Sequence, residues 1–87
     1  MAIVVPIERV RSAKTDVMQR DVDTMAKVLQ RQGQIEPLQV QLYTGPEMQR
    51  WTYETFLQDP WGSEILCAAY DLNWDTVLIV VMERYQP

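Results

Sequence analysis

The spacing of apolar residues along the chain changes period several times, and each change marks an element. Ile3, Val4 and Val5 form a short apolar run that ends at Pro6. Proline cannot donate to a sheet ladder, so the run predicts a short strand at a sheet edge or end. Pro6 to Val10 reads as extended chain or a single turn, and Arg11 to Thr15 as a polar loop. Met18, Val22, Met25, Ala26 and Leu29 then recur in steps of four, three, one and three, which is one face of a helix. Asp16 and Gln19 stand at capping-box spacing, and Gly33 suits the left-handed residue that ends a helix. The pattern predicts a helix over 17–32.

Leu38, Val40 and Leu42 alternate with Gln39 and Gln41, a strand with one buried face. Thr44-Gly45-Pro46-Glu47 reads as a turn. Trp51, Tyr53 and Thr55 alternate in a second strand over 50–56, suited to antiparallel pairing with the first. Asp59-Pro60-Trp61-Gly62 breaks the chain again. Ile65, Leu66, Ala69 and Leu72 share one face of a helix over 63–72, with Asn73 as its left-handed end. Val77 to Met82 is an apolar run rich in β-branched residues, which predicts a central strand buried on both faces. A strand that follows a helix tends to pair parallel with an earlier one. The order β-α-β-β-α-β therefore predicts an α+β fold, a small mixed sheet with two main helices packed on it. With no linker and no repeat, the 87 residues form a single domain over 1–87.

Composition removes most catalytic chemistry. There is no histidine, which excludes His-based triads, His metal sites and a histidine base. The one cysteine, Cys67, can form neither an intramolecular disulfide nor a CxxC metal or redox motif, and it points to a reducing compartment. Its neighbours Leu66, Ala68 and Ala69 predict a buried, inert thiol. The first residues are too few and uncharged for a signal peptide, and the apolar run from Val77 to Met82 falls far short of the about 20 residues of a membrane span. These readings predict a soluble cytoplasmic protein without cofactor or metal. Asp71 and Asp75 match no cation-loop spacing and read as solvated acids.

The net charge of −4 is unevenly spread, with six bases and five acids in residues 1–44 and two bases and seven acids in residues 45–87. Non-specific nucleic-acid binding needs a basic surface, which the chain as a whole lacks. Arg9, Arg11 and Lys14 read as a solvated loop, with phosphate contact as the alternative.

Three stretches resemble the N-terminal domain of the ParB family, which shares its fold with sulfiredoxin. Val5-Pro6-Ile7-Glu8-Arg9-Val10 resembles that family's opening strand, proline and short turn. Gly33-Gln34-Ile35-Glu36-Pro37-Leu38-Gln39-Val40 resembles its G-x-x-x-P-I/L-x-V passage after the first helix, the most specific of the three matches. Gly62 to Ala69, followed by Leu72-Asn73-Trp74-Asp75-Thr76-Val77, resembles G-x-x-R-x-x-A-A, then L-G-W-x-x-V and a hydrophobic strand. The resemblance leaves residues 44–61 unaligned. It implies a ParB/sulfiredoxin-like fold and a phosphate cradle at Gly62, Ser63, Glu64 and Ile65, where helix amides and an arginine grip an anion.

This chain departs from the motif where the chemistry lies. Ile65 stands at the arginine position, Ser63 where sulfiredoxin-like members place their cysteine, and Glu64 adds negative charge. Ser63 also lacks a base. Gly62 reads as a turn, and Ser63 and Glu64 as first-turn residues that suit a helix N-terminus. Trp51, Tyr53, Phe56 and Trp61 fall within eleven positions of the unaligned segment. Core and partner interface compete for them; four short strands and two helices offer little interior for eight aromatics, which favours a homodimer or protein-partner contact through 48–61. The leading expectation is a non-enzymatic ParB-like binding or assembly module, plasmid- or phage-associated by resemblance. Two alternatives stand beside it. One is a nucleotide-binding or nuclease-like family member with weak residual activity, against which Ile65 counts. The other is a DNA-contacting accessory protein using the basic N-terminal half, against which the charge counts.

Overall fold

The computed structural model describes residues 1–87. In chain order they form β1 (Ile3–Pro6), a 3-10 turn (Ile7–Arg9), β2 (Val10–Arg11), α1 (Gln19–Gln32), β3 (Leu38–Leu42), β4 (Tyr53–Thr55), α2 (Gly62–Asp71) and β5 (Thr76–Val81). The strands make one mixed sheet in the order β1-β5-β3-β4-β2. β3 and β4 pair antiparallel, with Val40 opposite Thr55. β5 runs parallel to β3, with Leu38 opposite Ile79, and antiparallel to β1, with Ile3 opposite Ile79. The fold is α+β, as the apolar pattern predicts.

The sheet's two edges, β1 and β2, are joined by only the 3-10 turn. From Pro6 to Val10 the backbone can reach at most about 14 Å. Four interstrand spacings in a flat sheet would need about 19 Å. The sheet therefore curls, and its edges approach each other around the turn. β2 pairs parallel with β4, with Val10 opposite Tyr53. Two residues carry no period, so β2 falls where the sequence predicts no strand, at the junction of the extended stretch that ends at Val10 and the loop that begins at Arg11.

Both helices cover one face. Val22 and Leu29 of α1, and Leu66, Ala68 and Ala69 of α2, share a buried cluster with Val5, Leu38, Val40, Val77 and Ile79. On the other face Leu78 and Val80 are only half-buried. β5 is thus an interior strand, but it is not buried on both faces as expected, because no helix lies on the second one. Gln39 instead holds the chain after β5 there: its side-chain amide donates to the Gln86 carbonyl at 2.6 Å and accepts from the Gln86 N–H at 2.8 Å.

Three local expectations change. Helix α1 begins at Gln19, with Met18 as its extended N-terminal flank and no side-chain cap. The Asp16–Gln19 capping box does not form, because the Gln19 amide donates to Asp23 at 2.8 Å and to Asp71 at 3.3 Å. Met18, assigned to the apolar face, is exposed. The second strand is shorter than 50–56, since residues 47–50 form a turn closed by the Arg50 N–H donating to the Glu47 carbonyl at 2.8 Å. Gly33 and Asn73 do take the positive φ angles, 71° and 60°, expected of helix ends.

Candidate functional site

Gly62 opens α2, and the chain before it folds back onto its first turn. The Trp61 N–H donates to Asp59 Oδ1 at 3.1 Å, the local bond by which Asp marks a turn. A Cβ at position 62 would stand 2.7 Å from Asp59 Oδ2. Glycine lets the protein's own carboxylate close over this position; a larger residue would displace the Asp59 side chain.

Ser63 and Glu64 follow, both buried. Ser63 Oγ lies 3.1 Å from Thr55 Oγ1 of β4, and Thr55 Oγ1 accepts from the Ala13 N–H at 2.9 Å. The 12–14 loop is thereby pinned against α2. That docking brings Lys14 Nζ to 3.4 Å from Glu64 Oε2 and to 3.4 Å from the Pro60 carbonyl. The second carboxylate oxygen, Glu64 Oε1, is buried without a hydrogen-bond partner. Lys14 is therefore the group that compensates a carboxylate removed from water.

Chemically this is a poor cradle for phosphate. A helix start attracts anions through its free N–H groups and dipole. Here Asp59 and Glu64 already place two carboxylates there, and the one nearby cation is paired. Ile65 packs against the core and lines a small apolar groove with Met25, Val28, Leu29 and Ile35. Ser63 has no base in contact, its hydroxyl being held by Thr55. Of the four residues that the resemblance marks for ligand, three are buried and the fourth faces α1. No three Cys, Asp or Glu side chains converge into a cation site.

The N-terminal cations are not a solvated loop. Arg11 is ion-paired with Glu54. Arg9 donates to the carbonyls of Gln49 at 2.9 Å and Arg50 at 3.3 Å. These bonds tie the segment that the resemblance leaves unaligned to the first part of the chain. Above them sits an arginine–aromatic stack. The Arg50 guanidinium carbon lies 4.6 Å from the centre of the Trp51 ring, and that of Arg11 lies 5.6 Å from Trp51 and 5.3 Å from Tyr43. Tyr43 meets Trp51 edge-on at 5.9 Å.

The four aromatics grouped by sequence do not stay together. Phe56 is 3% exposed and packs on Tyr85; it is a core residue and cannot anchor a partner in this conformation. Tyr53 is half-buried against the core cluster, Trp51 half-buried in the stack, and Trp61 46% exposed with no ring against it. Of the chain's eight aromatic residues, Phe56 alone is buried. The core is otherwise aliphatic, so most of the aromatic surface does lie at or near the outside.

Cys67 is half-buried rather than buried. Burial pushes its thiol above the ordinary 9.0, and the carboxylates of Asp71 and Glu64 push the same way. The thiol thus stays protonated at neutral pH, and a thiol reagent should label the native protein many-fold more slowly than the urea-unfolded chain. Equal rates would contradict this. Because the folded state holds this proton more tightly, Cys67 should lower stability as pH rises beyond about 9. Cys67→Ala should flatten that part of the pH profile in chemical unfolding.

Lys14, Thr55 and Asp59 belong to this site, and sequence reading did not single them out for it. Asp59 carries a usable signal, an Asp three residues before the first helical residue, with Pro60 and Trp61 between. Lys14 lies 50 residues from Glu64 and carries none.

No family model matches the sequence, and no curated protein matches it. Solved structures do. Sulfiredoxin from Arabidopsis thaliana superposes with a TM-score of 0.71 over 97% of this chain and 86% of that one, at 20% identity. The C-terminally truncated chromosome-partitioning protein ParB from Caulobacter crescentus, complexed with CTP-γ-S, gives a TM-score of 0.75 over 99% of this chain, at 18% identity. This chain spans 46% of that one, about half its length. The fold is therefore ParB/sulfiredoxin-like. At these identities the likeness is one of fold, and fold does not carry activity with it. No helix is long and apolar enough to cross a membrane.

Proposed function

We propose that this chain is a non-enzymatic binding or assembly module that keeps the ParB/sulfiredoxin-like fold without a nucleotide site. The observation that carries the reading is the start of α2, where Asp59 and the Lys14-paired Glu64 occupy the place an anion would take. The ParB neighbour is described with a bound nucleotide analogue. Here a triphosphate would meet two carboxylates and no free cation. Three of the aromatics, Trp51, Tyr53 and Trp61, remain accessible in whole or part, and with the exposed residues of segment 48–61 they form the contact surface, its first partner a second copy of the chain. Plasmid or phage biology and a cytoplasmic home follow from the family resemblance and the unpaired thiol.

Two measurements on the intact protein test this. With millimolar CTP or ATP the melting temperature should not move. A ligand at 100 times its Kd would add about 2.7 kcal/mol, which is on the order of ten degrees for a domain of this size. A reproducible rise of several degrees would overturn the loss of the nucleotide site. Light scattering at tens of micromolar should give about twice 10.2 kDa, and Trp51→Ala should weaken that association by about 2 kcal/mol. A monomer at every concentration would remove the second copy as partner.

A further inference from the structure

The surface behind the 3-10 turn has a chemistry that the rest of this acidic protein lacks. Glu8, Arg9, Arg50, Trp51 and Tyr70 line an open depression there. Neither Arg9 nor Arg50 forms an ion pair; the only ion pairs are Arg11–Glu54, Lys14–Glu64 and Arg20–Asp21. Arg9 is held in place by donating from one terminal nitrogen to the carbonyls of Gln49 and Arg50. Its remaining N–H groups make no bond within the protein. Arg50 rests on Trp51 at 4.6 Å, which orders the guanidinium without neutralising it. Tyr70 closes one side, its hydroxyl donating to the Ile7 carbonyl at 3.1 Å. Burial raises the Tyr70 hydroxyl's pKa, Glu8 raises it further and Arg50 opposes them. Both charges thus act within the same depression. Two arginines face one carboxylate, a local excess of positive charge on a chain whose net charge is −4.

We propose that this depression binds a protein segment carrying adjacent carboxylate side chains, gripped by Arg9 and Arg50 with Trp51 and Tyr70 as its apolar walls. The inference rests on the reading of segment 48–61 as a contact surface and states the chemistry of what it contacts. Arginine forks match carboxylates geometrically, and ordered Arg and Trp side chains are the usual anchors of protein interfaces. A nucleic-acid strand fits less well. The cationic area is two guanidinium groups wide, so a longer polyanion would run onto acidic surface. Two guanidinium groups already lie against the Trp51 ring, those of Arg50 and Arg11, where a stacked base would need an open ring face. Negative charge elsewhere on the chain would repel an acidic partner that docks in any other place, which gives orientation.

The test is a nitrogen-15 NMR titration of the full chain, with the Trp51 indole N–H assigned through Trp51→Phe. The probes are hexaglutamate, hexalysine, hexaserine and a six-residue oligothymidylate. Hexaglutamate should shift the Trp51 indole and Arg50 amide signals saturably, several-fold more weakly at 200 mM than at 50 mM salt. Arg50→Gln, at an exposed position, should lower that affinity at least fivefold. Lys27→Gln, an equal charge change on exposed α1, should leave it within twofold. No shift at millimolar hexaglutamate, an undiminished affinity in Arg50→Gln, or tighter binding of the oligothymidylate would overturn the inference. If hexaglutamate is silent while Trp51→Ala still weakens the dimer seen by light scattering, the contact-surface reading stands and only the acidic partner falls. If both fail, the reading falls with it.

Discussion

Lys14→Met should destabilise the protein by about 3 kcal/mol, the low end of what breaking a buried ion pair costs. The Glu64 side chain is 8% exposed and that of Lys14 22%, so the carboxylate is dry while the ammonium keeps some water. Glu64 Oε1 has no hydrogen bond of its own. Removal of Lys14 leaves that charge buried and uncompensated. The paired change Lys14→Met with Glu64→Leu should recover most of the loss, because two apolar side chains of similar length can fill the same space without a desolvated charge. Urea unfolding of the two variants beside the parent protein measures both effects. A loss below about 0.5 kcal/mol for Lys14→Met would show that solvent already screens the pair. The recovery in the double variant separates the ion pair from the packing of the lysine stem, which a single substitution would confound.

Leu66→Ala should have an effect of similar size for a different reason. Leu66 is 1% exposed and lies where α2 meets the sheet, in the cluster that holds Val40, Val77 and Ile79. Truncation removes three carbons from a site walled by two helices and a curled sheet, which can close around the gap only in part. Leucine-to-alanine changes at such sites cost about 2 to 5 kcal/mol. A domain of this length has a total stability of roughly 4–13 kcal/mol, so Leu66→Ala should lower the urea midpoint severely and place the protein near its unfolding threshold at 37 °C. Trp61→Ala is the contrasting control. At 46% exposure and without a ring partner, it should change monomer stability by less than about 0.5 kcal/mol. A large loss at Trp61 with a small one at Leu66 would invert the assignment of core and surface.

The candidate site was legible in one respect. Against the motif that the chain resembles, Ile65 stands at the arginine position and Glu64 two residues after Gly62, and both count against a phosphate grip before any geometry is known. What that order did not show is that Glu64 is buried rather than solvated. Its depth depends on Ala13 and Lys14 docking through Thr55 and Ser63, and no spacing rule links residues 42 or 50 positions apart. The aromatic segment fails in the other direction. Trp51, Tyr53, Phe56 and Trp61 are close in sequence and look like one feature. The turn at 47–50 and the break at Asp59 send them to different surroundings, with Phe56 inside and Trp61 outside.

Local periodicity settled the elements. The spacing from Val22 to Leu29 commits that stretch to a helix, the alternation from Leu38 to Leu42 to a half-buried strand, and Gly33 and Asn73 to helix ends. Burial and backbone hydrogen bonding repeat along the chain with the period of each structure, so they leave a trace that adjacent residues record. The curl of the sheet, the two-residue strand β2, the pairing of Lys14 with Glu64 and the seat of Arg9 against Gln49 and Arg50 leave no such trace. Each depends on contacts between segments far apart in the chain, and such contacts impose no period on neighbouring residues.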